Sequence, residues 1–277
     1  MAVRDIVCLI DMHRENPPAV AAAFSLATKA DAHVTGIAMH VEPDIPPYVM
    51  AEAGDRLGEI LRARKEKSQA GMTERFTRMV PTGFERYAVR AMTTTASAAD
   101  TVFASECRLA DLVVITQDDA AGTDPHRASV IEGVLFQSGR PTLIVPHEMG
   151  GTIDFTTAIL AWDGSNVATA ALHAARDFLA LFEDVHVVTV YDHRPKEDPG
   201  ADVAAYLARH GIAATARRLP VIQGRDVAGS LVDYAATEGA NAIIMGAYGH
   251  SRMREFIIGG TTEDMLDMMR TPVLMAH

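Results

Sequence analysis

The residues best suited to chemistry lie near the end of the chain, in the run Met245-Gly-Ala-Tyr-Gly-His-Ser-Arg-Met-Arg-Glu-Phe-Ile-Ile-Gly-Gly-Thr-Thr262. Its glycines follow the spacing G-x2-G-x9-G-G-T, with Gly246, Gly249, Gly259 and Gly260 preceding Thr261 and Thr262. Glycine at the exit of a buried strand allows a tight turn and lets backbone amides approach a ligand closely. The run predicts a helix over Thr262 to Met269, whose free N–H groups would form an anion site. Thr261 with Asp264 fits a capping box there. Turn glycines and a helix cap with no ligand fit the same spacing equally well, since a short glycine pattern has low specificity. Glu263 and Asp264 in the first helical turn oppose an anion; Arg252 and Arg254 oppose them in turn. His250 lies within the loop, either against a phosphate or simply exposed to water.

The elements that must position this loop occur twice. Asp5 to Asp11 and Thr157 to Asp163 are short apolar runs ended by an acid, as expected of strands buried on both faces. Apolar stripes follow at helical spacing: Val20, Phe24 and Ala27, then Ala168, Leu172, Ala175, Leu179 and Phe182. Second strands are predicted at His33 to Met39 and Val185 to Tyr191, and third strands at Glu85 to Val89 and Ala213 to Leu219. Between them the first copy carries a Pro-rich passage (Val41 to Tyr48) and a long charged helix from Ala51 to Met79; the second has a shorter helix from Ala201 to His210. The closing segments align without gaps, Ala110 with Ala240 and Arg140 with Arg270, both 130 residues apart. The fold class is therefore α/β, two tandem doubly wound parallel-sheet domains of Rossmann-like type, over residues 1–149 and 150–277.

That spacing places Thr116, Asp119, Ser129 and Val130 of the first copy at the four glycine positions of the second. Side chains there would crowd a ligand, and Asp118, Asp119 and Asp124 add negative charge. The first half thus reads as having lost the site, its Pro-rich passage and long helix serving as a lid, an interface or a different pocket.

The 277 residues carry a net charge of −11, which argues against a nucleic-acid-binding surface. No apolar run has membrane-spanning length, and two distant cysteines, Cys8 and Cys107, fit reduced thiols in the cytoplasm. The eleven histidines show no metal-ligand spacing, and neither a Walker loop nor a nucleophile elbow occurs. Arg62 to Lys67 reads as a solvated helix face, and Trp162 and the methionines as core.

The loop from Gly246 to Thr262, with Asp163-Gly-Ser165 after the first strand of its half, resembles the signature of the universal stress protein family, in its tandem form. The resemblance implies an adenine nucleotide ligand, ATP or AMP, with or without magnesium. It places phosphate and ribose on Gly246, Gly249, Gly259 and Thr261, the adenosine part on Asp163, and adenine on main chain of the second strand, at Val190. One position departs. The family has Ser or Thr directly after the third motif glycine, and this chain has Gly260, leaving the hydroxyl to Thr261 or Thr262. A regulatory binding protein is implied, with at most slow ATP hydrolysis. The rival reading is a non-catalytic interaction or scaffold protein whose loop is structural. The last strands, Thr142 to Val145 and Pro272 to Met275, would be sheet edges unless paired. In the family equivalent edges pair, so the two halves are expected to imitate a dimer; a further homodimer is left open.

Overall fold

The computed structural model describes residues 2–11, 14–45, 47–118, 124–150, 152–191, 200–221, 225–248 and 260–277. The first half contributes strands β1 (Asp5–Leu9), β2 (His33–Glu42), β3 (Tyr87–Thr95), β4 (Leu112–Thr116) and β5 (Thr142–Val145). Its helices are α1 (Pro18–Ala30), α2 (Pro47–Met79), α3 (Ala99–Cys107) and α4 (Arg127–Gln137). The second half supplies β6 (Thr157–Ala161), β7 (Asp184–Tyr191), β8 (Ala214–Pro220), β9 (Ala242–Gly246) and β10 (Val273–Ala276). Around these lie α5 (Asn166–Leu179), α6 (Ala201–Arg209), α7 (Val227–Glu238) and α8 (Gly260–Met268).

All ten strands form one sheet in the order β3-β2-β1-β4-β5-β10-β9-β6-β7-β8. Every neighbouring pair is parallel except β5 with β10, which is antiparallel. Across that seam Leu143 faces Leu274 and Ile144 faces Val273. Because residues 130 apart are equivalent, these two pairs exchange under the duplication, so the seam is a local two-fold axis. The two terminal edges consume each other, and the outer edges of the sheet are β3 and β8.

The continuous apolar strands are buried on both faces. Ile6, Leu112, Leu143, Leu274 and Ile244 lie in one core layer beneath α1, α2, α5 and α6. Val7, Val113, Ile144, Val273 and Ile243 lie in the other, against α3, α4, α7 and α8. Each layer runs through both halves, so the apolar contact that stabilises each half also joins them.

Several boundaries differ from the sequence expectation. β3 runs to Thr95, well past Val89, because it is an edge strand with exposed Arg90 and Thr95 and no apolar run to betray it. β2 continues to Glu42 and α2 begins at Pro47, which shortens the Pro-rich passage to a brief connection. β6 stops at Ala161, and Phe182 packs just beyond the end of α5. Gly36 in β2 gives α2 its seat: a Cβ there would lie 2.5 Å from the Phe76 ring. Phe76 and Met72 are fully buried and anchor the C-terminal part of α2, while Arg62, Arg64 and Lys67 remain exposed.

Candidate functional site

In a doubly wound sheet the strand order reverses beside the first strand of each half, opening a crevice at the carboxyl ends. In the second half that point lies between β6 and β9. A cavity of about 250 Å³ occupies it. Of the nine residues singled out in the sequence, Asp163, Val190, Gly246, Gly260, Thr261 and Thr262 line this one cavity. Gly249, His250 and Gly259 lie outside the described residues, as do Arg252 and Arg254.

Each lining residue has a structural reason for its place. Asp163 Oδ1 accepts the Ser165 N–H at 2.9 Å, turning the chain through Gly164 at φ 79°. Ser165 caps α5 by accepting the Ala168 N–H at 3.2 Å. The turn and the binding role read from the sequence are thus compatible at Asp163, whose carboxylate remains exposed. On β7, Val188 O accepts the Trp162 N–H at 2.9 Å, beyond the last rung Ala161–Val188. Strand alternation turns the N–H and C=O of Val190 to the same side, where β6 has already left the sheet. Main-chain donor and acceptor groups there face the crevice.

Gly246 is required by packing. A Cβ on it would meet the Val167 carbonyl carbon at 2.6 Å and the Ala168 nitrogen at 2.9 Å, both in the backbone of α5. α8 is described from Gly260, so Gly260 and Thr261 are helical ahead of the start at Thr262 expected from the sequence. The capping box predicted for Thr261 and Asp264 does not form. Thr261 is already inside the helix, and the Asp264 carboxyl faces that of Asp226. Thr262 is buried, and its hydroxyl accepts the Tyr248 N–H at 3.1 Å.

Sequence reasoning missed four participants. Trp162, read as core, lines the cavity as well as packing against the core. Val227 and Leu231 of α7 form an apolar wall opposite Val188 and Val190. Tyr248 lines the cavity with a φ of 55°, a conformation uncommon outside glycine. Nothing in residue spacing announces these, since each comes from packing between elements distant in sequence.

In the first half Thr116 and Val130 fill two former glycine positions and are buried, while Ser129 is exposed; Asp119 lies outside the described residues. Asp124, one of the acids expected to add negative charge, is paired. Its Oδ2 lies 3.0 Å from Nη2 of Arg127, which also lies 3.3 Å from Asp11 Oδ2.

Among the described residues no group of three or more His, Cys, Asp or Glu is arranged to hold a metal ion. No helix among them is long and apolar enough to cross a membrane.

Fold and site together define a tandem doubly wound α/β protein with a crevice at the carboxyl ends of its second half. The universal stress protein family model matches residues 155–277. A universal stress protein of Synechocystis is 28% identical over 155 residues, 54% of this chain and 51% of that relative. The chain thus spans about half the length of this curated relative. A universal stress protein from Archaeoglobus fulgidus shares the fold over 98% of this chain and 95% of its own, with a TM-score of 0.64 and 17% identity. A functionally unknown protein from Pseudomonas aeruginosa shares it over 99% and 92%, with a TM-score of 0.58 and 16% identity. Residues 155–277 thus match the universal stress protein family model, and the whole chain shares the fold of the two-domain Archaeoglobus protein.

Proposed function

We propose that residues 150–277 bind an adenine nucleotide, ATP or AMP, and that the protein works as a regulatory binding protein of the stress response rather than as an efficient catalyst. The observation that carries this reading is that the glycine-loop residues Gly246 and Gly260 to Thr262 meet Asp163 after β6 and Val190 of β7 at one cavity of about 250 Å³. Its chemistry suits the ligand. An apolar slot of Val188, Val190, Val227 and Leu231 accepts a flat base, and outward main-chain groups at Val190 can pair with its edge. The exposed Asp163 carboxylate can accept from ribose hydroxyls, and the first-turn N–H groups of α8 suit phosphate. Gly249, His250 and Gly259 are assigned to the phosphates, and magnesium would accompany the triphosphate only. The setting proposed is the cytoplasm. A homodimer built by strand pairing would use β3 or β8, since β5 and β10 pair with each other.

The competing reading, a scaffold with a purely structural loop, draws on Gly246, whose need for glycine is met by α5 alone. Calorimetric titration with ATP, ADP and AMP separates the two, with Trp162, the single tryptophan, as a local fluorescence reporter. Saturable binding that perturbs Trp162 is the expected result. Absence of binding at millimolar nucleotide would leave the scaffold reading standing.

A further inference from the structure

The equivalent crevice of the first half is not filled. A cavity of about 310 Å³ lies at the carboxyl ends of β1 and β2, covered by α2, within the range of roughly 300–1,000 Å³ typical of ligand pockets. Leu9, Met39, Val41 and Val130 give it an apolar floor. Its polar groups are of another kind from those of the second half. Arg64 reaches it from α2, His40 from β2, and His126 and Arg127 from the start of α4.

Arg127 is the unusual member. It is 3% exposed, and Nη2 alone serves both neighbouring carboxylates, at 3.0 Å from Asp124 and 3.3 Å from Asp11. Nη1 is buried with no hydrogen-bond partner. A guanidinium offers five N–H donors, and a buried one with unused donors is costly unless something accepts from them. An ion pair with only a structural role would satisfy both nitrogens. The N-terminus of the 11-residue α4 opens at the same place, and His126, its N-cap residue, makes no side-chain cap. Asp124 accepts the His126 N–H through Oδ1 at 3.0 Å and the Arg127 N–H through its carbonyl oxygen at 3.1 Å, so the donors at this wall are Arg127 Nη1 and the N–H groups of Ala128 and Ser129 that follow.

Charge decides the class of ligand. Asp11 and Asp124 offset Arg127 and Arg14, whose Nε is 3.8 Å from Asp11, leaving Arg64 as the surplus cation beside two histidines. A dianionic phosphate would meet two carboxylates with little to balance it. A monoanion would not. We propose that the first half binds a small organic carboxylate with an apolar body, the carboxylate accepting from Arg127 Nη1 and the start of α4, and the body resting on Met39 and Val130 beneath α2. This site is independent of the nucleotide reading of the second half.

The test uses the full chain and two probes of equal length, octanoate and its uncharged amide, followed by calorimetry and by amide NMR shifts. Octanoate is expected to bind about tenfold or more tighter than octanamide, as a hydrogen bond to a charged group implies, and to shift the amides of residues 126–130. Arg127→Met should abolish that preference. Because this variant leaves Asp11 and Asp124 short of a partner and can unfold the half, Arg64→Met provides the second arm; its side chain is exposed, and octanoate binding should weaken severalfold while the fold persists. Equal affinity for octanoate and octanamide would overturn the proposal, as would displacement of octanoate by inorganic phosphate. So would octanoate binding that quenches Trp162 and competes with ATP, which would place the probe in the second half. ATP binding read at Trp162 is expected to be unchanged by Arg64→Met, so failure of either site is told apart from failure of the other.

Discussion

Tyr248 of the second half stacks on Phe136 of the first, their ring centroids 4.8 Å apart and their planes tilted by 37°. Phe136 also meets His277 edge-on at 4.8 Å, and His277 Nδ1 lies 3.0 Å from the Ala247 carbonyl oxygen. The aromatic group therefore braces the backbone step at Tyr248, where φ is 55° and the glycine loop begins. The brace comes from the far end of α4, whose near end carries Arg127. One helix of the first half thus touches both crevices.

Replacing Phe136 with Leu keeps an apolar filler and removes the ring contacts. Aromatic pairs contribute about 0.5–1.5 kcal/mol beyond their buried area, and a loss of that order is expected in urea denaturation. Nucleotide affinity should fall severalfold, since Tyr248 is then less firmly held beside Thr262. Lost stability with unchanged affinity would show that the brace is structural only.

The two glycines that line the cavity should behave oppositely. Gly246→Ala drives a Cβ into the backbone of α5 at 2.6 Å, and overpacking of this kind costs about 1–3 kcal/mol. A fall in melting temperature without any ligand is expected. At Gly260 a Cβ would meet only Asp264 Oδ2, at 3.5 Å, an ordinary contact. Gly260→Ala should be neutral or stabilising by up to about 1 kcal/mol, through the unfolded chain. Any loss of ATP affinity in that variant then reports close approach of the ligand. Thermal melts and titrations of both variants check this.

What the sequence made legible was what repeats. Apolar runs buried on both faces, and a constant separation of 130 residues, led to the two halves; the pairing of their last strands was expected from the family resemblance. Elements without such a signal were misread. β3 is polar and at an edge, and α8 already includes Gly260, a residue that intrinsic helix preference places outside. Of the candidate site, the residues within one local motif were readable. The aromatic brace was not, because Phe136 and Tyr248 meet only through the seam between halves. Arg127 was missed for a similar reason. Its partner Asp11 is distant in sequence, and the different pocket that the sequence left open for this half was sought in the Pro-rich passage and long helix, not at the start of α4.

Both cysteines should be unreactive in the native protein. Cys8 is fully buried, and burial pushes its thiol up to about 12; burial, with the nearby Glu106 charge, raises Cys107 as well. The thiolate is the nucleophile, so at pH 8 almost none is present. Ellman's reagent should find no fast-reacting thiol in the folded chain and two after denaturation in guanidinium. A rapidly titrating native thiol would reveal local opening of the β1 or α3 region.

Asp264 is expected to make stability depend on pH, and with it the affinity for the proposed nucleotide. Desolvation first, then the neighbouring Asp226 carboxylate and its hydrogen bond, with a further contribution from Asp267, raise its pKa above the ordinary 3.8. A raised carboxyl pKa means that the folded chain holds this proton more tightly than the unfolded one. The associated stability is fully present below the ordinary value and is lost as pH rises through the raised one. At neutral pH the ionised Asp264 faces Asp226, beside the first turn of α8. Asp264→Asn should therefore melt above the wild type at pH 7, the advantage shrinking as pH approaches 4. ATP, itself anionic, should bind the variant more tightly at pH 7, with the difference closing over the same interval. Asp226 is the poorer position to alter, because its carboxylate accepts the Gly229 N–H at 2.6 Å and caps α7. Melting curves and titrations of wild type and variant at pH 4 to 8 decide the matter; parallel curves with no pH-dependent gap would mean that the two carboxyls do not interact in solution.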